Sequence, residues 1–424
     1  MKLSLISRRG IGSAGAIALG VIAGMVACSD DGASDPSLPQ IDGGPVTPER
    51  DANGQPEDAS VDANADADAE AGPPRVCSDD DFCHTTLPPK EILRAVWADG
   101  QGTAWAVGDS GDVLRYDGAT WTKHAMLDGA LRSVWGSGPN DVWIGGEEGL
   151  FHGTGASAAS LVFTNVNAPG DVRAPITSIW GRSATDVWAA GGVQTSPNIG
   201  RVLHLTSDGA DAGADPDAGA DAGSSSGWSL VPAFTPPVDT TRIWGTPDGS
   251  VWVAGLRLDP ITRKVGVAVL RRLPGASSTF ADVPIPGDPK GAPFNAGGVN
   301  KIWDASVAAD GTIFILGRTD TSLAAYVCGT TTDGGQTVTW TFVPTGSVTE
   351  PTRNSIWGAA ASDVWMAGDY GRLGHWNGSA WTQAKTTISK YPEIAPLYAV
   401  WGRAGGELWV VGDGIAMHRA AGKN

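Results

Sequence analysis

The segment Ser355–Trp381, SIWGAAASDVWMAGDYGRLGHWNGSAW, contains the clearest copy of the pattern that decides the fold. It consists of short runs of β-branched and aromatic residues, separated by Gly-Asp and Asn-Gly turns. Such runs, bounded by turn-forming residues, are typical of β-strands joined by tight hairpins. The segment therefore predicts several consecutive antiparallel strands.

Parts of this pattern recur seven times between Phe82 and the C-terminus. The first strand of each copy carries a tryptophan preceded by Val or Ile: Trp97, Trp135, Trp180, Trp244, Trp303, Trp357 and Trp401. A second aromatic residue follows: Trp105, Trp143, Trp188, Trp252, Phe314, Trp365 and Trp409. The gap is eight residues in six copies and eleven in the fifth, and in all seven a Gly stands three residues after the second aromatic. Positions that recur in register indicate a structural repeat.

Six copies have room for four strands, whereas the last copy ends soon after Met417 and His418. The segment Phe82–Thr85 precedes the first copy and has the aromatic start and Pro-rich continuation of a fourth strand. We therefore predict an all-β, seven-bladed β-propeller of four-stranded blades, in which the N-terminal strand closes the last blade. Closure of the ring removes the exposed sheet edges that an open array would carry.

The tryptophans at the two repeat positions are predicted to be structural, because large aromatic side chains at equivalent positions would pack between neighbouring blades. Trp376 lies outside the register and is the tryptophan that best fits a binding role. No phosphate-binding loop, nucleophile elbow or zinc motif is recognisable, and no metal or cofactor is predicted.

Four of the six histidines share one position of the third strand: His152, His204, His375 and His418. Equivalent positions in different blades lie far apart, so a local hydrogen bond to the polar residue before the second aromatic is predicted rather than a metal site. The expected partners are Asp141, Asp186 and Asp363, with Ser133, Ser178 and Ser355 as further candidates.

The charge and composition divide the chain into three parts. Residues 1–28 are predicted to be an export signal, with a basic start and an apolar run from Ile11 to Ala27. Residues 29–76 form an acidic linker rich in Ala, Asp and Pro, and residues 77–424 form the propeller, with a low-complexity insert at 207–227. The linker and the insert carry most of the net charge of −17, so the acidity does not describe a ligand-binding face. Nucleic-acid binding is not predicted, because the chain has no basic stripe.

The sequence Met25-Val26-Ala27-Cys28 resembles the lipobox of bacterial lipoproteins. This resemblance implies that Cys28 carries a lipid such as palmitate and becomes the mature N-terminus. Ser29 resembles the residue found after the cysteine in lipoproteins sorted to the outer membrane, which implies a location on its periplasmic face or on the cell surface. The twin arginines Arg8 and Arg9 leave both the general and the twin-arginine export routes open.

The remaining cysteines fit an exported protein. Cys77 and Cys83 enclose five residues and are predicted to form a disulfide in an oxidising compartment. A metal site that also includes His84 is the alternative. Cys328 stands in an apolar run and is predicted to be a buried hydrophobic residue.

The segment Thr331–Trp340, TTDGGQTVTW, resembles the Asp box of BNR and sialidase-type propellers, with Asp333, Gly334 and Gly335 at its turn. The whole repeat resembles the Trp-rich BNR and YVTN (WD-like) propellers of bacterial envelope lipoproteins. The resemblance covers about residues 82–419 and implies a fold rather than an activity. The arginine triad and Tyr/Glu pair of a sialidase are not recognisable here.

The long loops of blades three to six supply the candidate ligand-binding residues, namely Arg257, Arg263, Phe294, Lys390 and Tyr391. Ordinary variable loops are the alternative. The leading hypothesis is a lipid-anchored, non-catalytic binding or scaffold module for a protein or glycan of the cell envelope. The alternatives are a polysaccharide hydrolase or lyase, and an assembly factor for a membrane complex.

Overall fold

The computed structural model describes residues 76–192, 200–206, 227–235, 237–258, 265–275, 279–285, 299–319, 324–332, 337–344, 352–403 and 405–422. The signal peptide with Cys28, the linker up to residue 75, nearly all of the insert and the Asp-box turn from Asp333 to Gly335 lie outside these residues. Within the described ranges, no helix has the length and apolar character needed to cross a membrane.

The described residues form seven antiparallel sheets of four strands, and a 3-10 turn at Ala158–Ser160 interrupts blade 2. Blade 1 contains β2 (Leu93–Ala98), β3 (Ala104–Gly108), β4 (Asp112–Tyr116) and β5 (Trp121–Met126). Blade 2 contains β6 (Leu131–Gly138), β7 (Asp141–Gly146), β8 (Gly149–Thr154) and β9 (Val162–Val166). Blade 3 contains β10 (Ser178–Ser183), β11 (Asp186–Gly192), β12 (Gly200–Thr206) and β13 (Trp228–Leu230).

The other four blades follow the same order, from the innermost strand outward. Blade 4 contains β14 (Asp239–Gly245), β15 (Val251–Leu258), β16 (Val265–Arg272) and β17 (Ala281–Asp282). Blade 5 contains β18 (Val299–Val307), β19 (Ile313–Thr319), β20 (Ala324–Thr332) and β21 (Thr337–Pro344). Blade 6 contains β22 (Arg353–Ala360), β23 (Asp363–Gly368), β24 (Leu373–Trp376) and β25 (Trp381–Gln383). Blade 7 contains β26 (Leu397–Arg403), β27 (Glu407–Gly412), β28 (Ala416–Arg419) and β1 (Cys83–His84).

The N-terminal strand closes the ring, which confirms the predicted architecture. In blade 7, β1 pairs with β28 so that Cys83 lies opposite His418. Phe82 precedes β1 and is fully buried, with its ring in an edge-to-face contact with Trp365. Cys77 and Cys83 form the predicted disulfide beside this strand. The two ends of the propeller are therefore joined through backbone pairing, a core aromatic residue and a covalent link.

Four of the first-strand tryptophans lock neighbouring blades together because each faces a glycine of the next blade. A Cβ atom added to Gly136 would lie 2.6 Å from the ring of Trp97, and one added to Gly245 would lie 2.1 Å from the ring of Trp180. Gly181 faces Trp135 and Gly402 faces Trp357 in the same way. Protein interiors are close-packed, so only a residue without a side chain fits at these contacts.

Blade 5 departs from this arrangement and corrects one assignment. In the other blades the first-strand tryptophan pairs with the second aromatic, as Trp97 does with Trp105, but the partner of Phe314 is Ser306. Trp303 lies three residues before Ser306, which accounts for the eleven-residue gap. The ring of Phe314 faces Gly358 of blade 6 instead. The assignment of Trp303 to the repeating tryptophan position is therefore wrong in register.

Trp376 is also corrected by the structure. It was the tryptophan expected to be free for binding, but only 6% of it is exposed. Its ring contacts that of Trp381 and belongs to the core between blades 5 and 6. The side chain of Trp376 packs in this core because its position on β24 directs it there.

Candidate functional site

The strand order defines two faces of the propeller. The connection face carries the links between blades and the loops between the second and third strands of each blade. The hairpin face carries the other turns. Each innermost strand starts at the connection face, because the link from the preceding blade arrives there.

A β-bulge near the start of the innermost strand turns one extra side chain towards the central channel. The bulged residues are Arg94, Arg132, Thr241, Trp303, Asn354 and Tyr398. Thr177 directly precedes β10 and takes the same place in blade 3. Bulges often re-aim side chains beside functional sites. Here they place one side chain per blade around one opening.

These seven residues, with Arg242 and Ile302, line a cavity of about 380 Å³ at the connection face, which we call the channel mouth. The mouth continues into a channel cavity of about 760 Å³, whose wall includes Asp304 and the indole rings of the innermost strands. Trp303 therefore contributes to the mouth rather than to the repeating tryptophan layer.

Two carboxylates behind the mouth hold the guanidinium groups of Arg94 and Arg132. Nε and Nη2 of Arg94 donate to Asp109 at 2.5–3.0 Å. Arg132 donates from Nη1 to Asp109 at 2.6 Å and from Nη2 to Glu147 at 2.8 Å. Burial raises the pKa of Asp109, but the hydrogen bonds and charges of Arg94 and Arg132 outweigh it, so the pKa lies below its ordinary value. Asp109 therefore stays ionised and fixes both arginines.

The side chains on the other side of the mouth are also held in place by their neighbours. The guanidinium of Arg94 lies over the ring of Tyr398, 4.0 Å from its centre, which is a cation–π contact. Nδ2 of Asn354 donates to Asp369 at 3.0 Å and to the carbonyl of Leu397 at 2.9 Å. These contacts hold the side chains in place and favour a preorganised binding site.

Asp304 connects three blades at the wall of the channel. Its carboxylate accepts hydrogen bonds from Nε of Arg242 at 3.2 Å and from Oγ of Ser355 at 2.6 Å. It also accepts one from the backbone N–H of Ile356 at 3.0 Å. The carboxylate therefore fixes Arg242 at the mouth.

The mouth has the chemistry of a binding site for an anionic group. Three arginines, a tryptophan, a tyrosine, an asparagine and two threonines face it, and its described lining contains no Asp, Glu, His, Cys or Lys. The planar guanidinium group suits carboxylates, and aromatic rings bury apolar groups beside it. Among the described lining residues, Tyr398 is the side chain of a type that general acid–base catalysis uses.

Three of the five loop residues predicted from sequence are described, and these three do not line the mouth. Arg257 lies at the end of β15 and donates to Asp282 at 2.8 Å, with 19% of its side chain exposed. Lys390 and Tyr391 are exposed on the link between β25 and β26. Arg263 and Phe294 lie outside the described residues.

The strand-three histidines form structural braces, as the sequence predicted. Nε2 of His204 lies 2.9 Å from Asp186, and the imidazole stacks on Trp188 with ring centres 3.6 Å apart. The indole N–H of Trp188 donates to the same carboxylate at 3.0 Å. Three further histidines stack on the second-strand tryptophan of their blade beside its acidic residue, namely His152 on Trp143 beside Asp141, His375 on Trp365 beside Asp363 and His418 on Trp409 beside Glu407. Nε2 of His418 lies 3.4 Å from Glu407, and the indole N–H of Trp143 has no hydrogen-bond partner among the described residues.

The first-strand serines are not members of these braces. Oγ of Ser178 accepts a hydrogen bond from the N–H of Ile243 at 3.0 Å, and Oγ of Ser355 accepts one from Val400 at 3.1 Å. Both bonds cross to the next blade. The suggestion that the serines take part in the braces is therefore wrong, because their side chains point towards the next blade.

The braces predict how stability depends on pH. The hydrogen bond from His204 lowers the pKa of Asp186 more than partial burial raises it. A carboxyl whose folded pKa is depressed stabilises the fold above its unfolded pKa and loses that contribution as the pH falls through the folded value. The melting temperature should therefore fall below about pH 4. In Asp186→Asn the fall should be shallower; an unchanged pH profile in this variant would contradict the assignment.

Blade 1 lacks the brace carboxylate and allows a test by addition. Thr103 stands at the brace position, and neither Nε1 of Trp105 nor Nε of Arg115 has a hydrogen-bond partner among the described residues. Thr103→Asp should supply an acceptor for these buried donors and increase the free energy of unfolding by about 1 kcal/mol. Thr103→Asn is the uncharged control, and chemical denaturation measures the difference. A loss of stability in Thr103→Asp would show that the donors do not converge on this position.

Sequence reasoning missed the ring at the mouth. In six blades the ring residue stands three positions before the first-strand tryptophan, as Arg94 does before Trp97. The residue type differs from blade to blade, so no repeated letter marks the position. The constant spacing to the first-strand tryptophan is the signal that could have marked the position.

The fold and this ring define the protein as a seven-bladed β-propeller with a polar channel mouth. The chain is structurally similar to YCF48 bound to D1 peptide, with a TM-score of 0.54 and 15% identity over 80% of this chain and 97% of that one. It is also similar to YCF48 from Cyanidioschyzon merolae, with a TM-score of 0.54 and 13% identity over 80% of this chain and 98% of that one. A streptogramin B lyase matches with a TM-score of 0.55 and 13% identity over 80% and 96% of the two chains.

These similarities show the fold, and the neighbours include both a peptide-binding protein and an enzyme. No family model matches the sequence, and no curated protein matches it.

Proposed function

We propose that this protein is a lipid-anchored, non-catalytic binding module of the cell envelope that recognises a partner protein at its connection face. A segment of the partner that carries a carboxylate enters the channel mouth. The observation that carries this proposal is the ring of bulged side chains, with three arginines and two aromatic residues directed into one cavity.

A protein partner is supported by the distribution of exposed apolar side chains. Eight large hydrophobic residues are strongly exposed in the described parts of the chain. Six belong to the connection face, namely Met126, Val172, Leu230, Tyr370, Tyr391 and Ile394. Three of the six, Tyr370, Tyr391 and Ile394, lie on two loops joined by the hydrogen bond from Gly371 to Ala395, and such an exposed apolar cluster is typical of a protein-interaction surface. The peptide-bound state of YCF48 is consistent with this use of the fold.

A polysaccharide hydrolase or lyase is less well supported. Asp369 accepts a hydrogen bond from Asn354 of the mouth, and the carboxylates of Asp109, Glu147 and Asp304 are each bound to an arginine. Asp109 is a poor general acid, because the hydrogen bonds and charges of Arg94 and Arg132 outweigh the effect of burial and lower its pKa. The fold itself is shared with a streptogramin B lyase, so the choice depends on the side chains and not on the fold.

The lipid anchor rests on the lipobox-like sequence that ends at Cys28 and on the linker that follows it. Cells fed with labelled palmitate should incorporate the label into the wild-type protein and not into Cys28→Ser. Repeated failure to label the wild-type protein would contradict the anchor.

The binding function is tested by a crosslinking pulldown of the lipidated protein from its own envelope, beside a glycan array. The wild-type protein and Val162→Ser should recover the same protein, because Val162 is exposed on the hairpin face. Trp303→Ala/Tyr398→Ala should lose it while remaining folded. Binding to a glycan instead, conversion of a glycan, or full recovery by the mouth variant would each contradict the proposal.

A further inference from the structure

Three of the exposed apolar side chains of the connection face belong to blade 6 and its link to blade 7. Tyr370 is 68% exposed, Tyr391 is 74% exposed and Ile394 is 67% exposed. Tyr370 lies in the loop between β23 and β24, and the other two lie in the link between β25 and β26. We call these three residues the rim patch.

The two loops of the rim patch are joined into one unit. The N–H of Gly371 donates to the carbonyl of Ala395 at 3.0 Å, and the N–H of Ala395 donates to Oε1 of Glu393 at 2.8 Å. A Cβ atom on Gly371 would lie 2.2 Å from the carbonyl oxygen of Glu393, so the loops approach as closely as a glycine allows. The three apolar side chains therefore project from two loops that are held together.

Tyr370 occupies a backbone conformation that its side chain disfavours. Its φ is 56° and that of Gly371 is 66°, and the N–H of Arg372 donates to the carbonyl of Asp369 at 3.3 Å. This is a hairpin turn that prefers Asn, Asp or Gly at both central positions. A bulky residue with positive φ is an outlier, and such strain is retained where the side chain has a use. Since Tyr370 is exposed, packing does not supply that use.

The charges around the patch select the kind of partner. Arg372 and Lys390 are exposed beside it. The two acidic groups of the same loops are already engaged, because Asp369 accepts a hydrogen bond from Asn354 and Glu393 accepts one from Ala395. Asp369 and Glu393 balance these two cations in number but are half-buried, so the most exposed charges beside the aromatic patch are positive. This exposed surface is complementary to an acidic segment that carries apolar side chains.

The patch is continuous with the channel mouth. Asn354 belongs to the ring at the mouth, and its side chain bonds Asp369, the residue before Tyr370. We infer that the rim patch binds the part of the partner protein that flanks the segment in the mouth, and that this part is acidic and bears aromatic or aliphatic side chains. The inference rests on the proposed function, and it names the chemistry of the partner.

Selection from a display library of random short peptides tests the inference. The folded, full-length wild-type protein should enrich peptides that combine acidic with aromatic residues. Tyr370→Asn/Tyr391→Ser/Ile394→Ser should keep the acidic preference and lose the aromatic one. Arg132→Ala should lose the acidic preference, and Val162→Ser, which changes an exposed apolar residue on the hairpin face, should enrich the same peptides as the wild type.

The outcomes separate the two proposals. If the patch variant enriches the same peptides as the wild type while Arg132→Ala does not, the mouth proposal stands and the rim patch has no binding role. If no variant differs from the wild type, or no peptide is enriched, both proposals fail. Binding of the wild type to phosphatidylglycerol vesicles that is lost in the patch variant would assign the patch to a membrane and overturn the inference.

Tyr370→Asn separates binding from folding. The substitution relieves the strained turn, so the melting temperature should rise by about 2 °C. Affinity for a peptide enriched on the wild type should fall by about tenfold, as for a lost aromatic anchor. A purely structural Tyr370 would show lower stability in the variant and no change in affinity, which would contradict the inference.

Discussion

Replacement of Trp365 by Ala is expected to lower the free energy of unfolding by about 3–5 kcal/mol. Trp365 is 4% exposed and packs against Phe82 of the closing strand in the core between blades 6 and 7. It also donates a hydrogen bond to Asp363 at 2.9 Å and stacks on His375 with ring centres 3.9 Å apart. The substitution removes the aromatic packing. It also removes the indole ring on which His375 stacks and the N–H that binds Asp363.

Chemical denaturation of Trp365→Ala beside Tyr391→Ala provides the measurement. Tyr391 is 74% exposed, so its replacement should change the free energy of unfolding by less than about 0.5 kcal/mol. If Trp365→Ala has the wild-type free energy of unfolding, the second-strand tryptophans do not form the core between blades.

Replacement of Arg132 by Ala should weaken binding of the partner by about 10- to 100-fold, which corresponds to about 1.5–3 kcal/mol for a charged hydrogen bond. Arg132 faces the channel mouth and is held by Asp109 and Glu147. Its loss removes a donor for the partner's carboxylate. It also leaves Asp109 with one arginine instead of two, so the mouth becomes more negative. Titration of the protein recovered from the envelope against purified variants measures the effect.

Arg182→Ala is the matched control, because it makes the same change in net charge and also removes an arginine from an ion pair, at the hairpin-face end of β10. Its affinity should equal that of the wild type. Arg132→Lys should lie between the wild type and Arg132→Ala, because lysine keeps the charge but not the planar pair of donors. Equal losses in Arg132→Ala and Arg182→Ala would show that only overall charge matters and that the mouth is not the site.

The fold could be predicted from sequence because the same packing requirements recur in successive blades. Each blade needs an aromatic residue between sheets and a polar residue beside it, and five blades have a glycine where the aromatic ring of the preceding blade packs, so these letters recur in register. The N-terminal strand was recognisable for the same reason, since Phe82 supplies the aromatic residue that the last blade lacks. Trp303 was misplaced because the letters Ile-Trp imitate the repeat, while the backbone in fact inserts a bulge there.

The site could not be predicted in the same way, because the residues at the bulged position of the different blades have no chemical property in common. Arg94, Thr177 and Asn354 occupy it in different blades, and nothing in the sequence marks a bulge. Loop length directed attention to Arg257, which the structure binds to Asp282 at the edge of blade 4. Lys390 and Tyr391 were chosen as exposed loop residues, and their relation to Tyr370 depends on contacts between two loops that the sequence does not show.

The central claim is that a partner protein binds at the channel mouth of the connection face. A benzophenone amino acid at position Thr177, which lines the mouth, and one at Val162, which is 65% exposed on the hairpin face, test it in intact envelopes. The account predicts that illumination joins one protein to the Thr177 position and none to the Val162 position. Crosslinks of equal yield at both positions, or at Val162 alone, would contradict it.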